Sequence, residues 1–179
     1  MALNCVVAGA LLASIVAFAG AQPPRRPRAV MIPMEEGGGT RIRSLVVSPA
    51  TIGFLATDPD VGSVGEPHAT VTWRLQGGNT SRNWALLVQA NASSLSGCSG
   101  VPASAITVAC SSVTSTKGTG VCAGPLPLSM QPHPVASGSQ ADGTPSYTVT
   151  ITFTLADRWR YIASQSPCTL TLIYIVDAP

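Results

Sequence analysis

From Tyr147 to Leu155 the chain alternates without a break: Tyr147, Val149, Ile151, Phe153 and Leu155 fall on one face, and Thr148, Thr150, Thr152 and Thr154 on the other. A period of two sends alternate side chains to opposite sides of an extended backbone, so this stretch is a strand with an apolar face and a hydroxyl face. His68 to Leu75 repeats the pattern, with Ala69, Val71, Trp73 and Leu75 against Thr70, Thr72 and Arg74. Asn83 to Gln89 carries Trp84, Leu86 and Val88 inward. Shorter candidates are Ile42 to Val47, Thr51 to Ala56, Ile106 to Ala109 and Thr169 to Val176, each bounded by Gly, Pro, Ser or Asp. Helical periodicity is confined to one possible turn at Asp157 to Ala163. The pattern predicts an all-β fold, an antiparallel β-sandwich of about seven or eight strands, disulfide-bonded. Gln76-Gly77-Gly78-Asn79-Thr80-Ser81 has hairpin length and composition, so the strands on either side of it are expected to pair antiparallel.

The chain before that domain has a different character. Cys5 to Ala19 is an uncharged apolar run, too short to span a bilayer and long enough for a secretory signal. Ala19-Gly20-Ala21 supplies the small residues of a cleavage site, and polar Gln22-Pro23-Pro24-Arg25-Arg26 follows. Residues 1–21 are therefore read as a signal peptide cleaved after Ala21, residues 22–41 as a Pro/Arg/Gly-rich arm, and residues 42–179 as the sandwich. The expected location is secreted or cell-surface, with membrane contact only through the signal segment if it stays uncleaved. Within the arm, Ala29, Val30, Met31, Ile32, Pro33 and Met34 form an apolar island: a linker segment, or an assembly strand built on Ala29, Val30, Met31, Ile32 and Met34. Pro33 favours the linker because it lacks a ladder donor.

Cleavage removes Cys5 and leaves Cys98, Cys110, Cys122 and Cys168, an even number bound for an oxidising compartment. Four cysteines allow three pairings, and the low cost of closing short loops favours Cys98 with Cys110 and Cys122 with Cys168. Zinc is not expected, because no pair has C-x2-C spacing and His68 and His133 sit beside prolines far along the chain. Asp58, Asp60 and Glu66 put three carboxylates on one loop, but the spacing fails the EF-hand pattern, and Asp-Pro-Asp with Gly62 is a common turn.

No cofactor is expected. Gly118-Thr119-Gly120-Val121-Cys122-Ala123 superficially fits a dinucleotide fingerprint, yet no helix follows it. There is no G-x-S-x-G elbow and no base beside a nucleophile, so the protein is read as no enzyme. Only 10% of residues are charged, and the net charge of +2 is too weak a field for nucleic acid. Asn79-Thr80-Ser81 and Asn91-Ala92-Ser93 are permissive glycosylation sequons. Trp73 and Trp84 are placed in the core, whereas Trp159 stands where a strand ends.

Two stretches carry a family resemblance. Trp84-Ala85-Leu86-Leu87-Val88 followed by Val101-Pro102-Ala103-Ser104-Ala105-Ile106-Thr107 resembles the Trp-x-Leu strand and next-strand entry of bacterial cell-surface domains of the WxL-like type. Leu155-Ala156-Asp157-Arg158-Trp159-Arg160-Tyr161, leading into Cys168 to Val176 and Ala178-Pro179, resembles their closing hairpin. The likeness covers Arg43 to Pro179 and implies attachment to peptidoglycan. The expected function is an exported, non-catalytic structural or adhesive component of the cell surface, partnered by a surface polymer, a glycan or like subunits. The alternatives are a pilin-like fibre subunit that assembles by strand addition and a small extracellular carbohydrate-binding module.

Overall fold

A computed structural model describes residues 41–54, 68–76, 82–156 and 167–178. The expected signal, the expected arm except Arg41, the Asp58–Glu66 loop, the Asn79 sequon, Trp159 and the possible helical turn lie outside the described residues. The remainder is built on twelve strands, β1 (Arg41–Ser48), β2 (Thr51–Phe54), β3 (His68–Gln76), β4 (Asn83–Ala90), β5 (Ser94–Leu95), β6 (Cys98–Pro102), β7 (Ile106–Ser115), β8 (Thr119–Cys122), β9 (Leu126–Pro127), β10 (His133–Ser139), β11 (Ser146–Leu155) and β12 (Cys168–Asp177). One turn of 3-10 helix, Ala103–Ala105, joins β6 to β7. The all-β, antiparallel, disulfide-bonded class is as expected. The count exceeds seven or eight because β5, β6, β8, β9 and β10 are short or rich in Gly, Ser and Pro, with little apolar alternation to mark them.

Two five-stranded sheets form the body, ordered β1-β3-β11-β7-β9 and β2-β12-β4-β10-β8, and β5 pairs with β6 as a separate ribbon. The expected hairpin does not form: β3 pairs with β1 and β11, while β4 pairs with β10 and β12 in the other sheet. Each strand has one face that carries its tryptophan and most of its large apolar residues, and opposing those faces across the sandwich buries both. Side-by-side pairing would have joined them in one layer.

Between the sheets lie the alternating residues read from the sequence. Val71, Trp73 and Leu75 of β3 and Val149, Ile151 and Phe153 of β11 share one buried cluster with Leu86 and Val88 of β4 and Leu170, Leu172, Tyr174 and Val176 of β12. At the centre Trp84 stands edge-on to Trp73, with ring centroids 5.0 Å apart, and 4.9 Å from Tyr147, which stacks on Trp73 at 5.4 Å. The Tyr147 hydroxyl donates to the Ser139 carbonyl at 3.2 Å. Trp84 fits because its neighbours have no side chains. Gly138 of β10 pairs with Trp84 and with Gly120 of β8. A Cβ at Gly138 would overlap the Thr119 carbonyl and stand 2.6 Å from the indole. Gly120 thus belongs to a packing row, not to a phosphate loop.

The cysteine pairing is corrected. Cys98 bonds Cys168 and Cys110 bonds Cys122, with Cα separations of 5.4 and 5.2 Å. Loop length failed as a guide because Cys98 to Cys110 and Cys110 to Cys122 span the same 12 residues. Strand placement decides instead. Ser96 forms a bridge with Thr169, which brings Cys98 beside Cys168, and the β7–β8 turn brings Cys110 to Cys122. Two disulfides mark an oxidising environment. Among the described residues no helix is long and apolar enough to cross a membrane.

Candidate functional site

Two surfaces deserve comparison as places of action: the hydroxyl face of the first sheet and the edges of both sheets. Register aligns hydroxyl residues across strands. Ser48, Thr70, Thr150 and Ser112 form one row, and Thr72, Thr148 and Thr114 another, with Val46 completing it. The Thr72 and Thr148 hydroxyls lie 3.1 Å apart. Ser111 donates to the Thr150 carbonyl at 3.1 Å and Thr152 to the Ala109 carbonyl at 3.3 Å. Many of these hydroxyls therefore tie neighbouring strands together, and the face they leave is mostly methyl and hydroxyl, with Arg74 its charged residue on β3.

The second surface is the edge of β12. Thr169 exchanges backbone bonds with Ser96 in both directions, and the Asn91 N–H donates to the Thr171 carbonyl at 3.1 Å. Ile173, Ile175 and Asp177 continue that side against Gln89, Leu87 and Ala85 of β4. The intervening residues direct their backbone groups to the opposite side, where Cys168 and Leu170 meet Phe54 and Ile52 of β2, and the Leu172 N–H donates to Ala50 at 3.0 Å. There β2 begins, and before Pro49 the chain belongs to β1 in the other sheet. Beyond Leu172 no described strand covers that side of β12. A charged side chain is the usual guard of such an edge, and none occurs from Cys168 to Val176.

The chemistry-bearing residues singled out earlier do not converge. His68 is exposed on β3 opposite Thr152. His133 is part-buried, with Nε2 3.0 Å from the Ser129 hydroxyl. Among the described residues no group of His, Cys, Asp and Glu is placed to hold a metal ion. Asn91 is exposed and borders a shallow depression lined by Ser94, Ser96, Thr169 and Thr171 around Leu95 and Leu170. Every described aromatic side chain, Phe54, Trp73, Trp84, Tyr147, Phe153 and Tyr174, is buried, which leaves none to stack on a sugar ring there. The β12 edge was not anticipated from the sequence, since it arises where β1 and β2 part between sheets.

Tyr174 is the least satisfied side chain in this region. It is 4% exposed, its hydroxyl has no hydrogen-bond partner among the described residues, and burial pushes its phenol well above the ordinary tyrosine range. In the unfolded chain the phenol ionises near pH 10. The unfolded state therefore sheds a proton first, and stability present below about pH 10 falls as pH rises above it. Tyr174→Phe removes both the orphan hydroxyl and the titration. Urea unfolding should show the variant no less stable at pH 7, by up to about 1 kcal/mol more stable, and with a shallower loss between about pH 10 and 11. A steeper alkaline loss in the variant would contradict this account.

No family model, curated protein or solved structure matches the chain.

Proposed function

We propose that this protein is an exported, non-catalytic structural component of a cell surface. The observation that carries the reading is the disulfide-locked sandwich whose first sheet presents a face rich in Thr and Ser and poor in charge. Such a face adheres or packs through hydroxyls and methyls, and cross-linking keeps the scaffold intact outside the cell. The signal-like run ending at Ala21 and the likeness to WxL-like domains support the same reading, and they make wall polymer the partner to test. A second reading, a fibre subunit assembling by strand addition, is favoured by the half-edge of β12 that no described strand covers.

The test is proteolytic shaving of intact cells that export the full chain, followed by fractionation of their walls. The protein should be released by shaving and, in unshaved cells, stay with the wall fraction through a high-salt wash. Recovery only from inside the cell would refute the proposal.

A further inference from the structure

We propose that the uncovered half-edge of β12, at Tyr174 and Val176, accepts a strand from the segment Ala29–Met34 of a second copy of this chain, paired antiparallel with Val30, Ile32 and Met34 turned inward. This deepens the surface-component reading and rests on it for the export that frees the arm from its leader.

The acceptor is defined on two sides. Tyr174 and Val176 turn their side chains into the core and their backbone groups toward the side that β2 leaves at Ala50. Across the gap runs β1, whose Leu45 and Val47 share the inward face of Trp73 and Val71. Trp73 and Val71 are fully buried, while Leu45 and Val47 pack against the core yet remain only half-buried. Among the described residues the second sheet is thus one strand short opposite β1, and an added strand would cover both residues. On the outer face of β1, Val46 is 61% exposed.

Pro33 selects the orientation. Residues of a strand direct both backbone groups to one side alternately, so a strand on this edge uses only every second N–H. Pro33 has none and must belong to the non-bonding set. The bonding set is then Val30, Ile32 and Met34. In antiparallel pairing, residues opposite one another share a face, so this set turns inward beside Tyr174 and Val176. Parallel pairing would instead turn Ala29, Met31 and Pro33 inward. Antiparallel addition buries the larger and more β-prone set. The Leu172 N–H is already bonded to Ala50, which leaves Met34 opposite Tyr174 and Ile32 opposite Val176.

Reach selects the second copy. Ala50 lies beside Leu172, so Ser48 stands near the level of Tyr174, and Arg41 lies seven residues further along β1 in the other sheet. That is about 23 Å along the strand and about 10 Å between sheets. The seven steps from Met34 to Arg41 of one chain span at most about 25 Å fully stretched. That equals the straight-line separation and leaves nothing to round the sheet edge. A neighbour's arm has no such tether, and because donor and acceptor are different surfaces the contact repeats head to tail into an open fibre.

The test uses the oxidised mature chain, residues 22–179, in size-exclusion chromatography with light scattering. The wild-type chain should run as a ladder of multiples that grows with concentration. Ile32→Glu places a charge inside the groove and should weaken self-association at least ~100-fold, whereas Met31→Glu, turned outward, should stay within about threefold of wild type. Circular dichroism should show both variants folded, since the arm precedes β1. Mixing Ile32→Cys chains with Val176→Cys chains should give a dimer band on a non-reducing gel. A wild-type chain that stays monomeric, equal losses for the two Glu variants, or no dimer band would each overturn the proposal. A monomer still held in the wall fraction would overturn strand addition and leave the surface reading standing.

Discussion

Replacing Cys98 and Cys168 together with alanine is expected to cost more stability than replacing Cys110 and Cys122. The first bridge joins residues 70 apart and the second residues 12 apart. In the chain-entropy account a cross-link removes unfolded conformations according to the loop it closes, about 4 kcal/mol for the long loop and about 3 kcal/mol for the short one. Position adds to the difference. Cys168 is fully buried at the start of β12 and holds the β5–β6 ribbon against it, whereas Cys122 is exposed on the β8 edge strand. Loss of the long bridge should therefore lower the thermal midpoint by about 10 °C or more, and limited reduction should open Cys110–Cys122 first. Thermal unfolding of the two double-alanine proteins, with a timed reduction followed by thiol labelling, measures both orders. Equal losses, or earlier labelling of Cys168, would contradict this assignment.

The second large effect lies at the centre of the core. Trp84→Ala should cost about 3–5 kcal/mol, because the indole is the element of the second sheet that both Trp73 and Tyr147 pack against. Gly138→Ala should cost about 1–3 kcal/mol by overpacking, since its new Cβ meets the Thr119 carbonyl and the Trp84 ring. The two changes compete for the same space. In the double variant the methyl group enters room the indole has vacated, so the combined loss should fall short of the sum by at least ~1 kcal/mol. Urea unfolding of the four proteins closes this cycle. Strict additivity would mean that Gly138 is required by Thr119 alone and that the glycine row does not accommodate the tryptophan.

What was legible in the sequence follows from which forces act locally. The apolar alternation of Tyr147 to Leu155, His68 to Leu75 and Asn83 to Gln89 identified β11, β3 and β4 and their buried faces, because burial on one side of a sheet leaves a period of two. The inward placement of Trp73 and Trp84 followed from the same parity. β10 left no such mark, since His133-Pro134-Val135-Ala136-Ser137-Gly138-Ser139 has small residues where its neighbour Trp84 needs room. The hairpin expected around Gly77-Gly78 failed for a different reason. A short link permits either two adjacent strands or a step between layers, and the apolar faces of β3 and β4 decide the matter only once both sheets exist. The pairing of four cysteines was likewise undecidable when two candidate loops had equal length.

The candidate site was half visible. The island Ala29 to Met34 stood out as the one apolar run in a Pro/Arg/Gly-rich arm, and Pro33 argued against it as a ladder strand. The structure supplies the complementary fact, an edge that needs only alternate N–H groups. That edge was not visible because it depends on β2 ending beside Leu172 while β1 departs to the other sheet, a tertiary event with no local signature. The scarcity of charge has a structural counterpart too. The outer rows of the first sheet are mostly Thr and Ser, and the open stretch of β12 has no Lys, Arg, Asp or Glu before Asp177.

The most direct measurement is a mass-spectrometric map of the protein recovered from the surface of intact exporting cells, digested without reduction. The account predicts an N-terminus at Gln22 and two linked peptide pairs, Cys98 with Cys168 and Cys110 with Cys122. A chain found only inside the cell, with Met1 retained and all five thiols free, would contradict it.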